Sequence, residues 1–68
     1  MATDNNIGEN IKKRRTKLGL SQEFFAQKSG VKYTSLTKIE SGVIKTPSVL
    51  MVAKIAKALN VSIEDLLK

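Results

Sequence analysis

The segment VKYTSLTKIESG, residues 31–42, crowds hydrogen-bonding side chains onto a short run with few apolar residues. Lys32 and Lys38 supply ammonium donors, Thr34 and Thr37 small hydroxyls that donate and accept, and Tyr33 an aromatic ring bearing a phenol. Wound as a helix at about 100° per residue, the segment puts Leu36 and Ile39 about 60° apart, on what must be its buried side. Thr34, Thr37, Lys38 and Ser41 then point close to the opposite direction, with Lys32 and Tyr33 on the flank near the N-terminal end. An ordinary solvated helix would carry more Glu, Lys, Gln and Ala, because hydroxyl side chains are mediocre helix formers. The chemistry open to such a face is recognition by hydrogen bonding. The major groove of B-DNA, about 12 Å wide, admits one such helix.

Bond-making chemistry has little to work with. The chain contains no histidine and no cysteine, and it shows no convergent carboxylate pair for acid–base or nucleophilic work. No glycine-rich phosphate loop is present. An enzyme is therefore not expected, nor a cofactor or a metal site. The charge points elsewhere. Residues 11–45 hold nine basic side chains against only Glu23 and Glu40, within a chain of net charge +6. A positive field gathered in one half of a small domain favours a polyanionic partner.

The elements that must hold this segment can be read along the chain. Sixty-eight residues make one domain with a small core. Residues 1–6 read as a disordered polar lead, unlike a secretory signal, and 7–68 as the folded domain. No apolar run approaches the roughly 20 residues that span a bilayer, and the lack of cysteine fits a reducing cytoplasm. Ile7, Ile11, Arg14/Arg15 and Leu18 recur at helical spacing before Gly19. Ser21 suits the N-cap of QEFFAQKS, which ends at Gly30. A third helix spans 32 or 33 to 40, closed by Ser41-Gly42. After the loop GVIKTP, Ser48 can cap VLMVAKIAKAL, the most apolar stretch and the expected core helix, with Asn60 left-handed at its end. Ser62-x-x-Asp65 resembles a capping box for a short last helix. Nothing alternates as a strand would. The expected fold is all-α, a compact bundle of five helices.

The second and third of these helices are joined by QKSGVKY, too short for anything but a tight crossing. Ala26 suits the crossing point, Gly30 the positive φ of the turn, and Val31, Leu36 and Ile39 with Phe25 anchor the third helix from beneath. This is the helix-turn-helix pattern. With LGLSQEFFAQKSGVKYTSLTKIESG followed by PSVLMVAKIAKALNVSIEDLL, residues 7–67 resemble the phage-repressor-like helix-turn-helix family of the Cro/XRE type. Gln22, Ala26, Gly30, Leu36 and Ile39 match its motif in order and spacing.

The resemblance implies a lambda-repressor-like DNA-binding domain whose third helix enters the major groove while the second crosses the backbone. Lys32, Tyr33, Thr34, Thr37 and Lys38 match its base-facing positions. Ser21 and Gln22 match positions that fix a phosphate. Lys45 is similar to part of a second phosphate clamp, and Arg14, in the basic flank with Lys12, Lys13 and Lys17, is a further phosphate candidate. Arg15 and Glu40 match positions that form an internal ion pair. The implied protein is a sequence-specific regulator of transcription, a repressor acting as a cytoplasmic homodimer on double-stranded DNA. The family also includes antitoxin-type members, for which a protein partner matters as much as DNA. Ile63, Leu66 and Leu67 are candidates for the dimer contact. Phe24, Leu50 and Met51 stand where the family is commonly polar; Leu50 is expected to be an adjustment of the core, while Phe24 and Met51 are open between core and partner surface.

Overall fold

The computed structural model describes residues 7–67, so the expected lead at 1–6 lies outside the described residues. Five helices follow one another: α1 (Ile7–Lys17), α2 (Gln22–Ser29), α3 (Tyr33–Ser41), α4 (Val49–Leu59) and α5 (Ile63–Leu67). There is no strand among the described residues, and no helix there is long and apolar enough to cross a membrane. The third helix ends one residue beyond the expected boundary, at Ser41.

Local chemistry sets most of the boundaries. Ser21 and Ser48 cap α2 and α4 by accepting the backbone N–H of Phe24 and Met51, at 3.1 and 3.2 Å. Each cap satisfies one of the donors that a helix start leaves unpaired. Ser62 and Asp65 exchange side-chain and backbone bonds at 3.1 and 3.2 Å, a reciprocal capping box that starts the five-residue α5. Asn60 takes the left-handed position after α4 at φ 61°, where its short polar side chain is tolerated. Gly30 does the same between α2 and α3 at φ 81°. Its N–H and that of Val31 both reach back to the Ala26 carbonyl and close the turn.

The core forms where the five amphipathic faces meet. Ile11, Phe25, Leu36, Ile39, Ile55 and Leu66 are fully buried, and Ala26 lies buried where α2 and α3 cross. Within this core α3 packs against α1 and α2, α2 also against α4, and α5 closes the bundle on α1 and α4. One contact has no counterpart in the sequence reading. Gly8, in the first turn of α1, passes so close to the end of α3 that a Cβ built on it would fall 2.0 Å from the Ile39 carbonyl oxygen. A second tie, from Asn10 Nδ2 to the Leu66 carbonyl at 2.8 Å, holds α1 to α5.

Two expectations are corrected. Leu50 is not an adjustment of the core; it is 68% exposed, because α4 turns Val52, Ile55, Ala56 and Leu59 inward and leaves its first turn outside. Leu66 is not available to a second copy. It is 0% exposed, the residue by which α5 docks on the bundle, whereas Ile63 and Leu67 remain at the surface. Of the two open positions, Met51 packs partly buried against the core and Phe24 stands 54% exposed on α2.

Candidate nucleic-acid interface

With Leu36 and Ile39 buried, α3 turns Lys32, Tyr33, Thr34 and Lys38 outward. Thr37 is only half-buried, at the edge of the same face. The two hydroxyls toward the C-terminal end are turned back onto the helix. Thr37 Oγ1 donates to the Thr34 carbonyl at 2.8 Å and Ser41 Oγ to the Lys38 carbonyl at 3.2 Å. Each hydroxyl hydrogen is thereby committed, so toward a ligand these oxygens present lone pairs. Donors on this face come from the ammonium groups of Lys32 and Lys38, the phenol of Tyr33 and the hydroxyl of Thr34. The face thus combines strong cationic donors with small acceptors, and nine residues of helix extend about 13 Å along it.

The candidate phosphate residues lie on three elements. Ser21 and Gln22 sit at the start of α2, whose first-turn N–H groups and macrodipole favour an anion. Ser21 spends its oxygen as the cap acceptor for Phe24 N–H, which leaves its hydroxyl proton as the group to offer outward. Gln22 is half-buried, and its Nε2 donates to Glu40 Oε1 at 2.9 Å. Lys45 is exposed in the loop between α3 and α4. That loop folds back so that Lys45 and Lys12 border one open groove of about 580 Å³, whose walls include Gly8, Ser41 and Gly42. Arg14, half-buried on α1, does not line this groove; Lys12 does. The sequence held no signal for that choice, because it depends on where a long loop returns.

Beneath these groups lies the ion pair. Arg15 Nε donates to Glu40 Oε2 at 2.8 Å and Arg15 Nη2 to Glu40 Oε1 at 2.9 Å, a bidentate geometry, with the two side chains 8% and 2% exposed. Arg15 Nη1 also donates to the Leu20 carbonyl at 2.6 Å. One guanidinium therefore fastens the α1–α2 connection to the end of α3. No buried side-chain nitrogen or oxygen among the described residues lacks a hydrogen-bond partner.

Adjoining the open groove, and sharing Ile7, Lys45 and Thr46 with it, Ile63 and Leu67 border a smaller, mainly apolar groove of about 230 Å³ with Pro47, Val49 and Val52. Pro47 and Val49 were not anticipated at this surface. They reach it because the end of the loop and the first residue of α4 face the same groove as α5.

This arrangement has close counterparts. The model of the HTH_3 family, Helix-turn-helix, matches residues 11–66. The HTH-type transcriptional regulator SinR of Bacillus subtilis (strain 168) is 36% identical over 61 residues, which are 90% of this chain and 55% of that protein. The chain thus spans about half the length of the curated relatives it matches. Among solved structures, SinR, described as the master regulator for biofilm formation, in complex with DNA superposes with a TM-score of 0.88 at 35% identity, covering 91% of this chain and 98% of that one. The P22 c2 repressor in complex with a synthetic operator gives a TM-score of 0.82 at 31% identity, covering 91% and 92%.

Proposed function

The chain belongs to the helix-turn-helix family, and from that premise we propose that it is a sequence-specific regulator of transcription, a repressor that binds double-stranded DNA in the major groove as a homodimer. The observation that carries this reading is α3 itself. Its apolar pair is wholly buried while Lys32, Tyr33, Thr34 and Lys38 face outward, in a half of the chain that holds nine basic residues against two acidic ones. Lys32, Tyr33, Thr34, Thr37 and Lys38 read bases, while Ser21, Gln22 and Lys45 hold phosphates and set the register. Arg14 flanks them as a further phosphate contact. Such a protein acts in the cytoplasm, and its function requires no catalysis.

Selection of bound sequences from random duplex DNA tests the reading and yields site, symmetry and spacing together. A two-fold site with half-sites about one helical turn apart is expected; recovery of no enriched sequence overturns it. On the selected site, Lys38→Ala is expected to weaken binding by about 10-fold or more, since one good base contact is worth ~1–3 kcal/mol. On scrambled DNA the same change costs only a few-fold, as loss of one charge does. Equal losses on the two DNAs, measured by gel-shift titration, remove Lys38 from base reading.

The homodimer is assigned to the apolar groove bordered by Ile63, Leu67, Pro47 and Val49. Leu67→Asp places a charge on a half-exposed position, so the domain still folds. Sedimentation is expected to shift toward monomer, and binding to the two-fold site to lose its steepness. An unchanged dimer moves the contact elsewhere.

A second reading, a protein-interaction module of the antitoxin type, is favoured by one observation, the exposed ring of Phe24. Met51, packed against the core, adds nothing to it. A stoichiometric partner co-purifying from the native host, lost on Phe24→Ser, would establish this role; its absence leaves the regulator alone.

A further inference from the structure

The Arg15–Glu40 pair looks at first like internal scaffolding, but its carboxylate has a third donor. Glu40 Oε1 accepts from Arg15 Nη2 and from Gln22 Nε2, both at 2.9 Å, and Oε2 accepts from Arg15 Nε. Gln22 begins α2 and Glu40 lies in the last turn of α3, so a single carboxylate joins the two helices of the motif. An ionised carboxylate only accepts, which decides the orientation of the Gln22 amide: its NH₂ must face Glu40 and its carbonyl oxygen must face away. The same nitrogen carries a second hydrogen that Glu40 does not use, on a half-buried side chain at the start of α2, next in sequence to Ser21.

We propose that Glu40 is a positioning residue for DNA: held by Arg15, it fixes the Gln22 side chain as a donor to a backbone phosphate and so locks the phosphate contact in register with α3. This rests on the proposed reading of Gln22 as a phosphate ligand. A glutamine amide held only by solvent rotates among several conformers and offers its oxygen as readily as its nitrogen, and an oxygen facing a phosphate repels it. The cost of ordering the side chain is met in the folded protein before DNA arrives, because the partner that orders it is 98% out of solvent contact. Base-reading helix and phosphate clamp then move as one body, and a shift of either relative to the other breaks the amide's bond.

Coupling between Gln22 and Glu40 is the measurable consequence. Binding of the full chain to the selected duplex and to a scrambled one is compared for the wild type, Gln22→Ala, Glu40→Gln and the double variant, with folding of each checked by circular dichroism. Gln22→Ala is expected to weaken binding on the order of tenfold on both DNAs, the scale of a hydrogen bond to a charged group. Glu40→Gln, whose amide cannot serve all three donors and leaves the buried Arg15 charge unpaired, is expected to lower the folded fraction in both backgrounds, while the affinity of the folded fraction falls several-fold with Gln22 present and hardly at all once Gln22 is alanine. An equal loss of affinity in both backgrounds overturns the proposal, since a merely structural role does not depend on Gln22. The wild type supplies a test that needs no substitution. By NMR, the Gln22 Nε2 protons should be distinct and slow to exchange compared with those of the exposed Gln27; coincidence of the two overturns the proposal. Wild-type DNA binding that Gln22→Ala leaves untouched defeats this inference alone, whereas absence of any DNA binding defeats the parent reading with it.

Discussion

Gly8→Ala is expected to lower the melting temperature by about 10 °C, although alanine is the better helix former. Within α1 the change should help by up to ~1 kcal/mol, the helix-propensity difference between the two residues. Packing opposes it. The added Cβ would lie 2.0 Å from the Ile39 carbonyl oxygen, 3.0 Å from its carbonyl carbon and 3.2 Å from Glu40 Cα. All three are backbone atoms near the end of α3, so no side chain can rotate out of the way. Overpacking in a tight site costs ~1–3 kcal/mol and sometimes more, and in a domain this small each kcal/mol lost moves the melting temperature by about 4–8 °C. The displaced segment carries Glu40 and the end of α3, so DNA binding should fall as well, even in the fraction that remains folded. Gly42→Ala is the informative control. Nothing lies within 4 Å of its Cβ position, and only its φ of 90° resists a side chain, so about 1–2 kcal/mol is expected there. Thermal denaturation followed by circular dichroism compares the two. A Gly8→Ala protein as stable as wild type would mean that α1 can slide away from α3 without cost.

That contact marks the boundary of what the chain discloses on reading. The helix starts and stops were legible because capping is local. Ser21, Gly30, Ser48, Asn60 and the Ser62–Asp65 box each act within a few residues of themselves, and each stands at the terminus its chemistry implies. The outward face of α3 was legible for a related reason, since Leu36 and Ile39 are nearly alone as apolar residues on that helix and leave little choice of side. Where apolar residues are plentiful the periodicity loses its meaning. VLMVAKIAKAL offers an apolar residue in almost every direction, so Leu50 could not be told from Val52. In α5 the adjacent Leu66 and Leu67 differ only in which one the bundle meets. Gly8 and the Gln22–Glu40 bond were out of reach for another reason. Both depend on two helices crossing at one particular height, and a glycine in a helix or a glutamine at its start carries no mark of that.

Arg15→Met is expected to unfold most of the protein at 25 °C, and a second substitution should restore the fold without restoring full DNA binding. Removing the guanidinium leaves the Glu40 carboxylate, 2% exposed, with Gln22 as its remaining donor among the three it now has. Breaking a buried pair from one side costs ~3–5 kcal/mol, comparable with the ~3–5 kcal/mol that a core of this size supplies in total. Urea denaturation should therefore find little folded protein without a ligand. Saturating DNA should recover part of it by mass action, if DNA binds only the folded form. Adding Glu40→Leu removes the stranded charge. Replacing both members of a buried pair by apolar side chains is often close to neutral, so most of the stability should return. The return is incomplete because the Leu20 carbonyl has lost the Arg15 donor that met it at 2.6 Å, a deficit of about 1 kcal/mol. The rescued protein now separates two roles that the wild type merges. If the pair were scaffolding alone, the double variant would bind DNA as the wild type does. With Glu40 as the group that aims Gln22, it folds but still binds about tenfold more weakly on selected and scrambled duplexes alike, because the amide at the start of α2 has lost the acceptor that fixed it. Full affinity in the folded double variant would return Arg15 and Glu40 to a purely structural role.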